Sequence, residues 1–470
     1  MKILSAWLRA HWASLKTPAR QSESGSNQCD IIVSRRRTRT LRGVLVCLCL
    51  LLVIAGLSPA IKVFLQSVGS LLECNGDQLP EILKPLLDKN VISERVSIPD
   101  SSGRPITAIL YTPAGYRNAP GLVIVPGLDP GGTQGLSGYA RLEASCGLRV
   151  LTPDIAPLQT YNVANINNSD VNIIGESTRW LAHQTGHPVT LMGLSFGGGL
   201  ALVAAAKEEY APSVRLVFDV GGYDDISRVI HFYMTGVDTG PNGESTKVKP
   251  NHWVALFLQY TDLAILGSKQ DASALEPILK ARIIDAQHHP RNETQIISEL
   301  VAKLSPEEAR KLHALDEKAS KLDFAELIDR IQILMRQVSP HKNLEGVTAA
   351  VYILHGLGDD VIPSEEALWL QKDLPSGRLK KILITPLISH VTIKEKKATL
   401  RDKWSLVYFW YEVHYVEMSP YTGNAYERAM GKTATALLAA LILGISILIG
   451  YALLSKIRIW KVNRIEGRIG

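Results

Sequence analysis

Three short stretches carry residues able to do covalent chemistry. Gly193-Leu194-Ser195-Phe196-Gly197 sets a serine between glycines, where a strand-like apolar run (Val189–Met192) meets a helix-like apolar run. Glycines at Gly193 and Gly197 permit a sharp bend and a close helix–strand approach. G-x-S-x-G with a strand before it and a helix after it is the pattern of a nucleophile exposed on a turn. A serine hydroxyl is a poor nucleophile until a base takes its proton, and that base is a histidine oriented by a carboxylate. Downstream, "YILHGLGDDVIPSEEA" (Tyr352–Ala367) ends a strand with Asp359 and Asp360, and "ITPLISHVT" puts His390 just past another strand. Serine, acid, histidine is the chain order this pattern requires. Asp359 and Asp360 both stand where the acid is needed. Asp219, at the end of an earlier strand, is a rival. His355 reads as structural. His288 and His289 could ligate a metal, but no third ligand has suitable spacing, and neither a metal nor a cofactor is expected.

The elements that must position these residues alternate. Val91–Thr112 reads as two extended pieces around Asp100-Ser101-Ser102-Gly103, a hairpin signal. Strands follow at Gly121–Pro126, Leu148–Thr152, Val189–Met192 and Val214–Val220, with helices at Leu136–Cys146, Val171–Thr185 and from the serine motif to about Glu208. Apolar strands alternating with helices imply a mostly parallel sheet covered on both faces. The rhythm stops after Gly221. Residues 223–345 read as helical with no clear strand, an insertion of the kind that caps an active site. Strands at Val347–His355 and Lys381–Thr385 and helices at Ser364–Lys372 and Leu400–Val416 complete the core. The core thus occupies residues 91–222 and 346–418. The apolar helix Trp253–Leu266 reads as cap core, with a lipid-facing stripe as the alternative.

Charge is unevenly placed along the 470 residues. The net charge is +6, but residues 1–60 carry +7, residues 433–470 carry +4, and the interval between carries −5. A basic balance confined to the ends argues against nucleic-acid binding. Residues 43–61 and 433–455 are free of charged side chains, each close to the ~20 residues a membrane-spanning helix needs. The first could instead be the apolar part of a cleaved signal peptide. Arg35, Arg36, Arg37, Arg39 and Arg42 precede the first span, and Lys456, Arg458, Lys461 and Arg464 follow the second. Basic flanks stay cytoplasmic, so the tails 1–42 and 456–470 are expected in the cytoplasm and the body on the other side. A juxtamembrane helix is expected over 74–90. Cys74 and Cys146 could pair in an oxidising compartment or stand as two small buried thiols.

The segments "GLSFGGG", "HGLGDDVIP" and "SHVT" make residues 91–416 resemble the α/β-hydrolase superfamily. His355-Gly356-Leu357-Gly358-Asp359-Asp360-Val361-Ile362-Pro363 is the most specific of them, with Ile362 where the family usually has Val. "VSIPDSSGRPITAILYTPAG" is similar to the opening hairpin of dienelactone-hydrolase-like and prolyl-oligopeptidase-like members. The resemblance implies the α/β-hydrolase fold and a Ser195–Asp359–His390 triad working through an acyl-enzyme. It also implies an oxyanion hole made of the Phe196 N–H and a donor from the loop after Gly121–Pro126. In "PGLDPGG" Pro126 replaces the family's His while Gly127 remains, which assigns the second donor to Leu128. Carboxylic esters are the first expected substrates, small or lipid-like, with thioesters and amides beside them. A non-catalytic binding or scaffold protein on the same fold is the alternative. Acyl group, leaving group and oligomeric state are left open.

Overall fold

The computed structural model describes residues 60–418, apart from 82, 88–89, 115–118, 130, 289–294, 322–323 and 394–397. The chain divides into two compact units at Ile61/Lys62, and the fold below belongs to the second. The expected spans 43–61 and 433–455 and both tails lie outside the described residues, save Ala60 and Ile61. Among the described residues no helix is long and apolar enough to cross a membrane.

Residues 62–74 are helical. The helix expected over 74–90 is not there. Gly76, at φ +76°, donates its N–H to Glu73 O (3.0 Å) and closes the preceding helix, as left-handed residues do at helix C-termini. Pro80 follows, and between it and residue 90 only Lys84–Leu87 is helical among the described residues.

The central sheet has eight strands: β1 (Val91–Pro99), β2 (Pro105–Pro113), β3 (Gly121–Val125), β4 (Arg149–Pro153), β5 (Val189–Leu194), β6 (Val214–Val220), β9 (Ala350–Gly356) and β10 (Leu379–Thr385). Their spatial order is β1-β2-β4-β3-β5-β6-β9-β10. β2 runs antiparallel to β1 and β4, and the other pairings are parallel. This is the mostly parallel sheet of an α/β-hydrolase fold. Asp100 makes the β1–β2 turn, accepting the N–H groups of Ser102 and Arg104 (2.8 Å each).

Alternation along each strand builds two cores. Val123, Val125, Val351 and Ile353 face one side, against helices Asn168–Thr185, Phe196–Ala206 and Glu365–Asp373. Leu122, Ile124, Tyr352 and Leu354 face the other, against Ser137–Cys146, Leu400–Met418 and Leu71. Each such side chain removed from water contributes about 1.5–3 kcal/mol.

Between β6 and β9 the described residues hold six helices: Ile226–Thr235, Val254–Leu266, Lys269–His288, Gln295–Ala302, Pro306–Ser320 and Ala325–Met335. They also hold a hairpin that the sequence pattern does not announce, β7 (Val237–Thr239) with β8 (Ser245–Lys247). Its strands are three residues long and β8 is wholly exposed, so no alternation marks them. Tyr260 and Leu263 pack on Leu275, Ile278, Leu279 and Ile283, so the apolar helix Val254–Leu266 is core of the insertion. Arg228 moors the insertion to the sheet layer. Its Nε donates to Glu366 Oε1 (2.8 Å) and its Nη2 to Asp224 Oδ2 (2.6 Å), with the guanidinium over the Trp369 ring.

Candidate active site

β4 and β5 lie on opposite sides of β3. That reversal opens a crevice at the carboxyl ends of the strands, where α/β sheets bind ligands. Ser195 stands there, immediately after β5. Its N–H donates to Val220 O of β6 (2.8 Å), extending the ladder one residue past the strand. Its backbone then turns to φ 53°, ψ −125°, a region that costs a side-chain-bearing residue strain. Helix Phe196–Ala206 starts at the next residue. The loop after β3 presses on the turn: a Cβ at Gly127 would lie 2.9 Å from Ser195 Cβ. Leu128 follows, half-buried against both the sheet core and the insertion core.

The surrounding glycines are close-approach positions. A Cβ at Gly193 would sit 2.5 Å from Gly197 O, and one at Gly197 would sit 2.3 Å from Pro126 O. The two extra glycines of "GLSFGGG" also face neighbours. A Cβ at Gly198 would come within 1.9 Å of Asp219 Oδ1, and one at Gly199 within 2.6 Å of the Tyr223 ring. The glycine run therefore lets helix Phe196–Ala206 lie against the end of β6.

The three sequence-predicted reactive residues meet. His390 Nε2 is 2.7 Å from Ser195 Oγ, and His390 Nδ1 is 2.9 Å from Asp359 Oδ2. A carboxylate only accepts hydrogen bonds, so Nδ1 carries the proton. Nε2 is then free to accept from the Ser195 hydroxyl. His390 sits at the tip of a small hairpin, β11 (Ile388–Ser389) with β12 (Thr392–Ile393). Its φ is +55°, as a two-residue hairpin loop demands of its first residue.

Asp359 is fully buried. Its Oδ1 accepts the N–H groups of Val361 (2.8 Å) and Ile362 (3.0 Å). Burial alone would raise its pKa, but the His390 imidazole, His355 and these hydrogen bonds hold it below the ordinary carboxylate value. His355 is the strut behind the loop. It is fully buried, its Nε2–H donates to Ile362 O (2.9 Å), and burial lowers its pKa. The His-Gly motif signals this residue, but only the structure shows what it holds.

The rival acids are elsewhere engaged. Asp360 Oδ2 accepts from Asn251 Nδ2 (3.0 Å), tying the loop to the insertion. Asp219 is fully buried at the end of β6, and neither carboxylate oxygen has a well-formed hydrogen bond. Burial pushes its pKa up to about 8, with the Gly222 N–H pulling the other way, so it is a neutral acid packed under the turn. Cys146 is buried, Cys74 is exposed, and the two are not bonded.

Two clusters among the described residues bring possible metal-ligand atoms within 4.8 Å: Glu143, His414 and Glu417, and Asp224, His341 and Asp373. Both are occupied by hydrogen bonds. His414 lies between Ser67 Oγ (3.0 Å) and Glu143 Oε2 (3.1 Å). Arg228 takes Asp224, and His341 Nδ1 takes Asp373 Oδ2 (2.7 Å). Neither cluster shares a residue with the Ser195 site. His289 and the His288 side chain lie outside the described residues.

No protein-family model and no curated protein matches this sequence. Solved structures resemble it. A protein described as a dienelactone hydrolase from Klebsiella pneumoniae is 13% identical, with 69% of this chain and 99% of that one covered and a TM-score of 0.35. An acylaminoacyl peptidase from Pyrococcus horikoshii is 13% identical, with 74% and 46% covered and a TM-score of 0.41. A serine hydrolase from Cycloclasticus is 15% identical, with 68% and 98% covered and a TM-score of 0.36. Likeness at this level bears on neither activity nor substrate, so the functional reading rests on the geometry above.

Proposed function

We propose that the protein is a membrane-anchored serine hydrolase acting on carboxylic esters, thioesters or amides. The observation that carries this reading is the relay Ser195–His390–Asp359, at 2.7 and 2.9 Å, with the serine on a strained turn. His390 Nε2 takes the hydroxyl proton as Ser195 Oγ bonds to the carbonyl carbon. Asp359 stabilises the imidazolium that forms. Negative charge gathers on the carbonyl oxygen, where the N–H of Phe196 and the N–H of Leu128 are the proposed donors. Phe196 is the first residue of its helix, so its N–H has no carbonyl a turn earlier to occupy it. Each such donor is worth about 3–4 kcal/mol of barrier. The bond to the leaving group then breaks as Nε2 returns the proton to it. Water attacks the acyl-enzyme by the same route and frees Ser195.

Membrane anchoring is proposed from residues 43–61 and 433–455 and their basic outer flanks. The reaction is tested with p-nitrophenyl and thioester substrates on the purified full chain. Hydrolysis lost in Ser195→Ala by a factor of about 10⁴ or more is the expected result. Equal turnover in wild type and Ser195→Ala removes Ser195 as the nucleophile, and no turnover in either favours a non-catalytic binding protein on this fold.

A further inference from the structure

A cavity of 510 Å³ lies at the carboxyl end of the sheet, on the face covered by helices Ser137–Cys146 and Leu400–Met418. Leu194, Val220 and Leu354, at or near the ends of β5, β6 and β9, form its floor. Ile388, Val391 and Ile393, from the hairpin that carries His390, form its roof. Two of these residues adjoin the reactive pair in sequence: Leu194 precedes Ser195 and Val391 follows His390. The lining is aliphatic and aromatic apart from Glu73, Cys74 and Thr392. A lining with so few polar groups suits a hydrocarbon chain, which leaves water on entering it, better than a charged or sugar-like leaving group.

We infer that this cavity holds the acyl chain of the substrate, a linear chain of up to roughly seventeen carbons if each takes about the 30 Å³ of a water-sized group. The inference rests on Ser195 being the acylated residue, and it names the acyl class that the hydrolase reading leaves open. Ser195 and His390 do not line the cavity, so the chain reaches it past their sequence neighbours Leu194 and Val391, with its carbonyl end left at Ser195. Each methylene that enters raises kcat/KM by up to about fourfold, so the preference over acetyl esters is large.

Gly138 supplies the test. It lines the cavity, lies in helix Ser137–Cys146, and a Cβ added there meets nothing within 4 Å. Gly138 is exposed, so Gly138→Leu adds an apolar side chain where the cavity meets solvent, with no clash at Cβ and in a helix that favours leucine over glycine. Gly138→Ala is the smaller step, and thermal unfolding checks that both variants fold. Two readouts are taken on the full chain. The first is kcat/KM across p-nitrophenyl esters from acetate to palmitate. The second is fluorescence titration with parinaric acid on Ser195→Ala, which needs no turnover. In wild type, kcat/KM should climb to a chain of ten or more carbons. Gly138→Leu should lower the decanoate-to-acetate ratio at least tenfold, and parinaric acid should bind Ser195→Ala but not Ser195→Ala/Gly138→Leu. A flat or falling chain-length profile overturns the inference while leaving the hydrolase reading intact, as does parinaric acid binding that Gly138→Leu does not change. Chain binding blocked by Gly138→Leu, with no ester turned over, keeps the chain site and overturns the hydrolase reading.

Discussion

Ser195, His390 and Asp359 are separated by 164 and by 31 positions in the chain, yet they meet within hydrogen-bond distance. Their order is legible in the sequence because each closes a recognisable strand-and-turn pattern. Among Asp359, Asp360 and Asp219 only the resemblance ranks Asp359 first, and the geometry agrees, since Asp359 is the one bonded to His390. Asp359→Asn keeps the shape but lets the imidazole take the wrong tautomer, so kcat should fall about 10⁴-fold in ester hydrolysis. Asp219 behaves differently. Its unfolded pKa is ~3.9, and its folded value is about 8. The folded state thus holds a proton that the unfolded state has lost across that interval. Its contribution to stability is full below pH 4 and declines as pH rises toward 8. Asp219→Asn removes that decline. The difference in Tm, variant minus wild type, should grow steadily from pH 5 to pH 8 in thermal unfolding scans. A difference that is flat or shrinks over that range contradicts the neutral buried acid.

The long elements are legible because hydrophobic period and turn chemistry agree, as in β3 and in the Asp100 turn. Short elements are not. The hairpins β7–β8 and β11–β12 have strands of two or three residues, too few to show a period, although the second carries His390. Gly76 and Pro80 break the helix expected over 74–90, where the apolar spacing alone suggests continuity. The packing of helix Phe196–Ala206 on β6 explains the extra glycines, which reflect the space left beside Asp219 and Tyr223. Gly198→Ala gains helix propensity of about 1 kcal/mol but drives a methyl into Asp219 Oδ1. Overpacking of this kind costs typically 1–3 kcal/mol, at roughly 2–4 °C of Tm per kcal/mol. At a net loss of about 1 kcal/mol, Gly198→Ala should lower Tm by roughly 2–4 °C. Gly198→Ala/Asp219→Ala should be less destabilised than the two single changes summed, by at least about 0.5 kcal/mol. Strict additivity would contradict the contact.

At the scale of the whole chain, charge and hydropathy divide the molecule into an acidic body and two basic, apolar ends. The proposed anchoring by residues 43–61 and 433–455, with basic outer flanks, puts both tails in the cytoplasm and the body on the opposite side of the membrane. A reporter or accessible cysteine near Gln270 should be reached from that side only, and a cytoplasmic Gln270 would overturn the orientation. The insertion between β6 and β9 was legible as a break in the strand–helix rhythm. Its attachment through Arg228, Glu366 and Asn251 was not, because those partners are far apart in sequence. The central claim remains that Ser195 is a nucleophile activated by His390. Its most direct test is to treat the purified full chain with a fluorophosphonate probe and map the adduct by mass spectrometry. A single adduct on Ser195 is expected, absent in Ser195→Ala and formed at least a hundredfold more slowly in His390→Ala. A folded protein that takes up no probe, or takes it up elsewhere, would contradict it.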